Sequence, residues 1–300
     1  IGRVNFVNDY IISRFTGVMV MDPSSASITQ LTDIRTGDWD DELLSIAGIE
    51  RGQLSPIHPS GSIVGKITPE VAQKLNLSED VLVINGAHDQ YCSACATGVI
   101  SSGKMMLACG TAWVLLVVPE MLDEPVFNGM GISHHAVEGL YGGIYSMGGM
   151  GRNLEWFIER FLSDTGKRDS EAFNKFDLLV STSILEENNP FFFPIIGGEF
   201  GSVEGNGGFY KVNISHNMGD LARAVLEGSA YELKIVLDKI KSKGIGIDEL
   251  IMVGGGAKSP FLPQMVADIS GTRVMLPGMT ETACRGAAVL AAKGIGWISD

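Results

Sequence analysis

The stretch from Leu250 to Asp268 reads LIMVGGGAKSPFLPQMVAD. Four apolar residues run into three consecutive glycines, Gly254, Gly255 and Gly256, and a helical pattern begins after Ser259. A buried strand that passes through a glycine turn into a helix is the repeating unit of an α/β fold. Glycines let the main chain approach a ligand closely, and the first turn of a helix offers free N–H groups to an anion or a polar ring. The turn is no Walker loop, because Ala257 rather than glycine precedes Lys258–Ser259 and the Gly-x4 spacing is missing. Taken alone it fits a plain structural turn as well as a nucleotide contact.

Two further glycine sites lie upstream. ACGTAW, Ala108 to Trp113, places Gly110 and Thr111 between two apolar runs, as a hairpin turn or as a phosphate loop. SMGGMGRNLEW, Ser146 to Trp156, repeats the order strand, glycines, helix but lacks the last glycine of a dinucleotide fingerprint. One such turn proves little, whereas three at the entries to one domain's elements can converge on a single nucleotide.

The same alternation runs along the rest of the chain. ITPEVAQKLNL has Thr68 to cap a helix, Pro69 at its first position and Glu70 in its first turn. DVLVINGA then reads as a strand buried on both faces. The segment NPFFFPIIGGEFGSVEGNGGF, with its crowded Gly, Pro and Phe, is expected to be an irregular loop. A change from helix–strand alternation to consecutive strands near residues 98–104 predicts two domains, 1–102 and 103–300.

With 300 residues, 45% hydrophobic and 19% charged, the chain can bury a substantial core. No window approaches the roughly 18 apolar residues needed to span a bilayer, so no membrane partner is expected. A formal net charge of -13 argues against nucleic acid and anionic lipid, which select basic surfaces. Cys92 and Cys95 form a CxxC, but no second Cys/His pair has ligand spacing, so packed, reduced thiols are expected and no protein metal site is assigned.

INGAHDQYCSACATG, Ile84 to Gly98, sets Asp89 between a histidine and a glutamine at the start of a small-residue helix. Asp89 reads both as the N-cap of that helix and as a base for a substrate hydroxyl.

In their order, NGAHDQ, CGTAW, GGMGRNLEW, GGEF…GGFYKV…DLARAVLEG and VGGGAKSPFLPQMVADISGTRVMLP…ETACRGAAVLAAKGIG resemble the FGGY carbohydrate kinases along essentially the whole chain. The resemblance implies an actin-like ATPase fold of two ribonuclease H-like domains, the first incomplete. ATP with Mg²⁺ and a sugar or polyol would meet in the cleft between the domains. Asp89 matches the family's general base, and His88 and Gln90 fall where substrate hydroxyls bind. Gly110 and Thr111 match the second phosphate motif, and Gly255, Gly256, Ala257 and Ser259 the adenosine motif. Gly151, Leu154 and Glu155 match a helix beside the nucleotide.

The implied reaction is ATP-dependent phosphorylation of a ketopentose such as xylulose or ribulose. The alternatives are a glycerol or other polyol kinase, or a non-catalytic ATP-binding module. A cytoplasmic location is expected from ATP use, and the resemblance allows a homodimer. The family's first phosphate motif, Asp-x-Gly-Thr, is absent, so the chain reads as part of a longer protein. Phe200 stands where arginine is common, and Lys211 where glycine is.

Overall fold

A computed structural model of the chain describes residues 2–120, 129–163, 169–196 and 206–298. The first hundred residues form short elements around a small core. These are α1 (Val7–Thr16), α2 (Pro23–Ile28), β1 (Thr32–Asp33), β2 (Asp38–Trp39), α3 (Asp41–Ala47), β3 (Ile63–Lys66), α4 (Pro69–Leu75), β4 (Leu82–Ile84) and α5 (Asp89–Thr97). Met21, Ala26, Trp39, Leu44 and Leu54 fill that core. Thr68 caps α4 as expected, its hydroxyl accepting from the Val71 N–H with Pro69 in the first turn.

The larger part opens with β5 (Gly103–Cys109), β6 (Trp113–Val117), β7 (Gly131–His134) and β8 (Tyr141–Ser146). Then come α6 (Met150–Phe157), α7 (Ser170–Thr182), β9 (Phe191–Phe193), β10 (Gly208–Tyr210) and the long α8 (Met218–Ser242). It closes with β11 (Ile247–Val253), α9 (Leu262–Ser270), β12 (Val274–Met275) and α10 (Thr282–Gly294). Six strands form one sheet in the order β12-β11-β5-β6-β8-β7. β11 is parallel to both β12 and β5, and the remaining pairs are antiparallel.

Side-chain alternation explains why KMMLAC is apolar throughout. Met105, Leu107 and Cys109 point into the core shared with α6, α7, α8 and α9, while Met106 joins Tyr91, Cys92, Ala94 and Leu290 of α5 and α10 on the other face. Both faces of β5 are therefore covered, as period-2 geometry requires of a strand inside a three-layer fold.

The structure differs from the expectations at two elements. β4 is short, pairs only with β3, and leaves Leu82 exposed, so it is not buried on both faces. An apolar run lacks the alternation that would distinguish a half-covered strand from a buried one. The Phe-rich segment also contains regular structure, because Phe191–Phe193 pairs antiparallel with Gly208–Tyr210. Phe192 points inward and its two neighbours outward. Phe200 lies outside the described residues. Lys211 adopts φ 64, the left-handed backbone that a glycine takes readily, which accounts for glycine being common there in the family it resembles.

Candidate active site

The three glycine turns meet at the end of β5. Val253 is paired with Ala108, so the parallel strands β11 and β5 end side by side, one entering Gly254–Gly256 and the other Gly110–Thr111. Carboxyl ends of parallel strands are where open α/β sheets bind ligands. Gly254 has φ 86 and lies against the Cys109 main chain, and a Cβ on Gly256 would sit 2.6 Å from the Cys109 Cβ. From the other side, a Cβ on Gly151 would overlap the Gly110 carbonyl oxygen. The Arg152 N–H donates to the Thr111 carbonyl oxygen at 3.1 Å. The Thr111 hydroxyl donates to Glu155 Oε1 at 2.9 Å, tying the β5–β6 turn to α6. Leu154 is partly buried against the core, so it packs the helix in place. Ser259 Oγ accepts from the Phe261 and Leu262 N–H groups at 3.3 Å each, closing the entry to α9.

Beside this junction lies a cleft of about 680 Å³, within the usual size of small-molecule sites. Gly254, Ala257 and Lys258 line one wall, and Thr280, Glu281 and Arg285 at the start of α10 line the other. Lys258 and Arg285 bring two cations to the cleft of a chain whose net charge is -13. The sequence reading missed this second wall. Its signal was the quoted ETACRGAA segment, which names no chemistry by itself.

Asp89, His88 and Gln90 do not line this cleft; they start α5, which packs along α10. The Thr282 hydroxyl in the first turn of α10 bonds the Ser93 hydroxyl at 3.1 Å, one turn beyond Asp89. Further along, a Cβ on Gly286 would collide with the Cys92 carbonyl, so the helices touch main chain to main chain. One helix begins at the cleft and its partner begins at Asp89.

The expected N-cap role of Asp89 is corrected. His88 is the N-cap, its Nδ1 accepting from the Gln90 N–H at 3.4 Å, and Asp89 is the first helical residue. Freed from capping, the Asp89 side chain is 70% exposed, with Oδ1 3.3 Å from His88 Nδ1. The Gln90 Oε1 is buried with no hydrogen-bond partner, an acceptor available to a ligand hydroxyl.

Cys92 and Cys95 are free thiols. Burial raises Cys92 to about 12 and Cys95 to about 11, so both stay protonated at neutral pH. Cys284, exposed on the cleft wall, is expected to take iodoacetamide at pH 7.5 well before either; peptide mass mapping of the labelled chain checks the order. Among the described residues no group of three or more His, Cys, Asp or Glu could hold a metal ion, and no helix is long and apolar enough to cross a membrane.

Residues 1–96 match the N-terminal domain, and residues 105–295 the C-terminal domain, of the FGGY family of carbohydrate kinases. The chain is 30% identical to the xylulose kinase of Bacillus subtilis over 298 residues, which covers 97% of this chain and 58% of that protein. It therefore spans little more than half the length of that relative. The crystal structure of xylulose kinase from Rhodospirillum rubrum superimposes with a TM-score of 0.88 at 26% identity, over 100% of this chain and 60% of that one. Glycerol kinase of Plasmodium falciparum with ADP gives 0.86 at 22% identity, over 99% and 59%, a likeness of fold. The fold is the actin-like ATPase fold, and with both domain models matched in order the chain belongs to the FGGY family of carbohydrate kinases.

Proposed function

We propose that the protein transfers the γ-phosphoryl group of ATP to a hydroxyl of a ketopentose, xylulose before others, with Asp89 as the base. The observation that carries this is the meeting of three glycine turns at the end of β5, beside a cleft whose second wall, α10, is locked to the Asp89 helix. In this reading residues 1–102 contribute the sugar side and residues 103–300 the nucleotide side. The choice of xylulose rests on the B. subtilis and R. rubrum relatives.

Phosphoryl transfer asks a protein mainly to position its reactants in line and to compensate charge. Gly110 and Gly255 leave the main chain open for close approach, Gly151 and Gly256 let the turns pack against one another, and Lys258 and Arg285 supply positive charge. Glu155 is an acceptor only, so its part is to orient the Thr111 hydroxyl rather than to bind phosphate. Mg²⁺ binds with most of its ligands from phosphate and water and one or two from carboxylates. Among the described residues no group of three such ligands forms, and Glu155 is already engaged by the Thr111 hydroxyl, so no carboxylate of this chain is assigned to the ion. The ion would neutralise charge on the transferred group. At the sugar side, Asp89 accepts the hydroxyl proton, and Gln90 and His88 fix the hydroxyl's neighbours.

Gly151→Ala is expected to push the Gly110–Thr111 turn aside, because the new methyl meets main chain rather than a flexible side chain. Overpacking of this kind costs about 1–3 kcal/mol of stability, and to the extent that the displaced turn carries it on binding, ATP affinity measured by titration calorimetry should fall, by up to about 150-fold. An unchanged affinity would detach the turn from the nucleotide.

The test of the function is ATP-dependent ADP release by the full-length protein with xylulose, ribulose, glycerol, other polyols and gluconate. Stimulation by a ketopentose supports the proposal. Stimulation by glycerol alone moves the substrate to the polyols. ATP binding without stimulation by any of them points to a non-catalytic module.

A further inference from the structure

We propose that Ser24, held in turn by Asp22, is a positioning residue that aims Asp89. The inference rests on Asp89 being the base. His88 precedes the first helical residue of α5, so its N–H has no partner within the helix. It donates instead to Ser24 Oγ at 2.9 Å, across 64 residues of chain. An amide can only donate, so the Ser24 hydroxyl accepts there and sends its own proton to Asp22 Oδ1, the direction of the chain being fixed. Asp22 is held at both oxygens, Oδ1 by the Ser25 N–H at 2.9 Å and Oδ2 by Asn8 Nδ2 at 3.2 Å.

Ser24 is fully buried and Asp22 is 1% exposed, so water does not readily replace a lost hydroxyl. The result is a relay from α1 through the start of α2 to the main chain of the residue before Asp89. The backbone of His88 sets where the Asp89 side chain leaves the helix.

Other ties hold the surroundings. Asn85 Nδ2 donates to the carbonyl oxygens of His58 and Pro59, and the Gly61 N–H donates to the Asn85 carbonyl. These secure the chain three residues before His88, and packing on α10 secures the body of α5. Ser24 is thus the long-range side-chain bond at the residue next to Asp89, and its loss should loosen aim before it loosens fold.

The experiment is a double-mutant cycle in the full-length protein, with xylulose and ATP as substrates and Ser24→Ala and Asp89→Asn alone and combined. Small misplacements of a reacting group cost up to about 10²-fold. Ser24→Ala is expected to lower kcat by about 10-fold or more while the Kd for ATP stays within about two-fold, and to add less than about two-fold on the Asp89→Asn background. Should Ser24→Ala not fold, Ser24→Cys, which keeps a weaker acceptor, should show a smaller loss with the same dependence on Asp89. Wild-type kcat in the serine variant, or an equal loss on both backgrounds, would overturn the proposal. Normal turnover by Asp89→Asn alone would remove the base itself, a failure visible without any serine variant.

Discussion

Asp89→Asn is expected to reduce turnover of the full-length protein by at least about 10²-fold, the usual scale for a positioned acid or base group, while ATP affinity stays within a few-fold. The side chain is one atom type different, and the helix start does not depend on it. Capping is done by His88, whose Nδ1 takes the Gln90 N–H, so the substitution leaves the end of α5 intact. What is lost is an exposed carboxylate able to take up a hydroxyl proton. Had Asp89 been the cap, a fall in turnover would have mixed catalysis with stability; as the first helical residue it separates them. A thermal melt of the variant should therefore overlay that of the parent, and kcat should carry the loss. A variant that keeps its turnover would exclude the base, and one that melts early would return Asp89 to a structural role.

Gly286→Val should have the largest effect on stability. A Cβ at this position collides with the Cys92 carbonyl, and main chain cannot rotate away as a side chain can. Relief requires α10 and α5 to separate, at a cost of about 3 kcal/mol or more, or a fall in Tm of roughly 5–10 °C for a chain of this size. The same separation would part Thr282 from Ser93 and so disturb both the cleft wall and the helix that begins at Asp89. Ala287→Val, one residue on and exposed, is the control and should cost less than about 1 kcal/mol, the difference in helix propensity. Equal melting of the two variants would show that the helices tolerate separation and that the close contact is not what joins the cleft to Asp89.

The glycine turns were legible because each is local: an apolar run, glycines and a helix pattern within twenty residues. Their meeting around Cys109 was legible only as an expectation, since it depends on β11 pairing with β5 across some 140 residues of chain. The closeness of α5 and α10 left a trace in the small residues of CSACATG and CRGAAVLAA, but such composition does not say which helix faces which. The β9–β10 ladder escaped because three phenylalanines in a row show no alternation and its second strand follows a long glycine-rich stretch. The capping of α5 escaped for a chemical reason. Histidine caps a helix only through an unprotonated ring nitrogen, so it is not among the residues that signal a helix start. The relay at Ser24 had a partial signal in MDPSSASI, where Asp22 and Pro23 announce a helix start, but its reach to His88 is a tertiary fact.

The central claim, that the cleft at the glycine turns and the Asp89 end of α5 together pass a phosphoryl group from ATP to a sugar hydroxyl, is tested most directly by following the phosphorus. The full-length protein would be incubated with γ-labelled ATP and xylulose, and the products resolved. The account predicts label in a phosphorylated pentulose, in step with ADP formed, and its loss in Asp89→Asn. Label appearing only as inorganic phosphate, at the same rate with and without sugar, would contradict it.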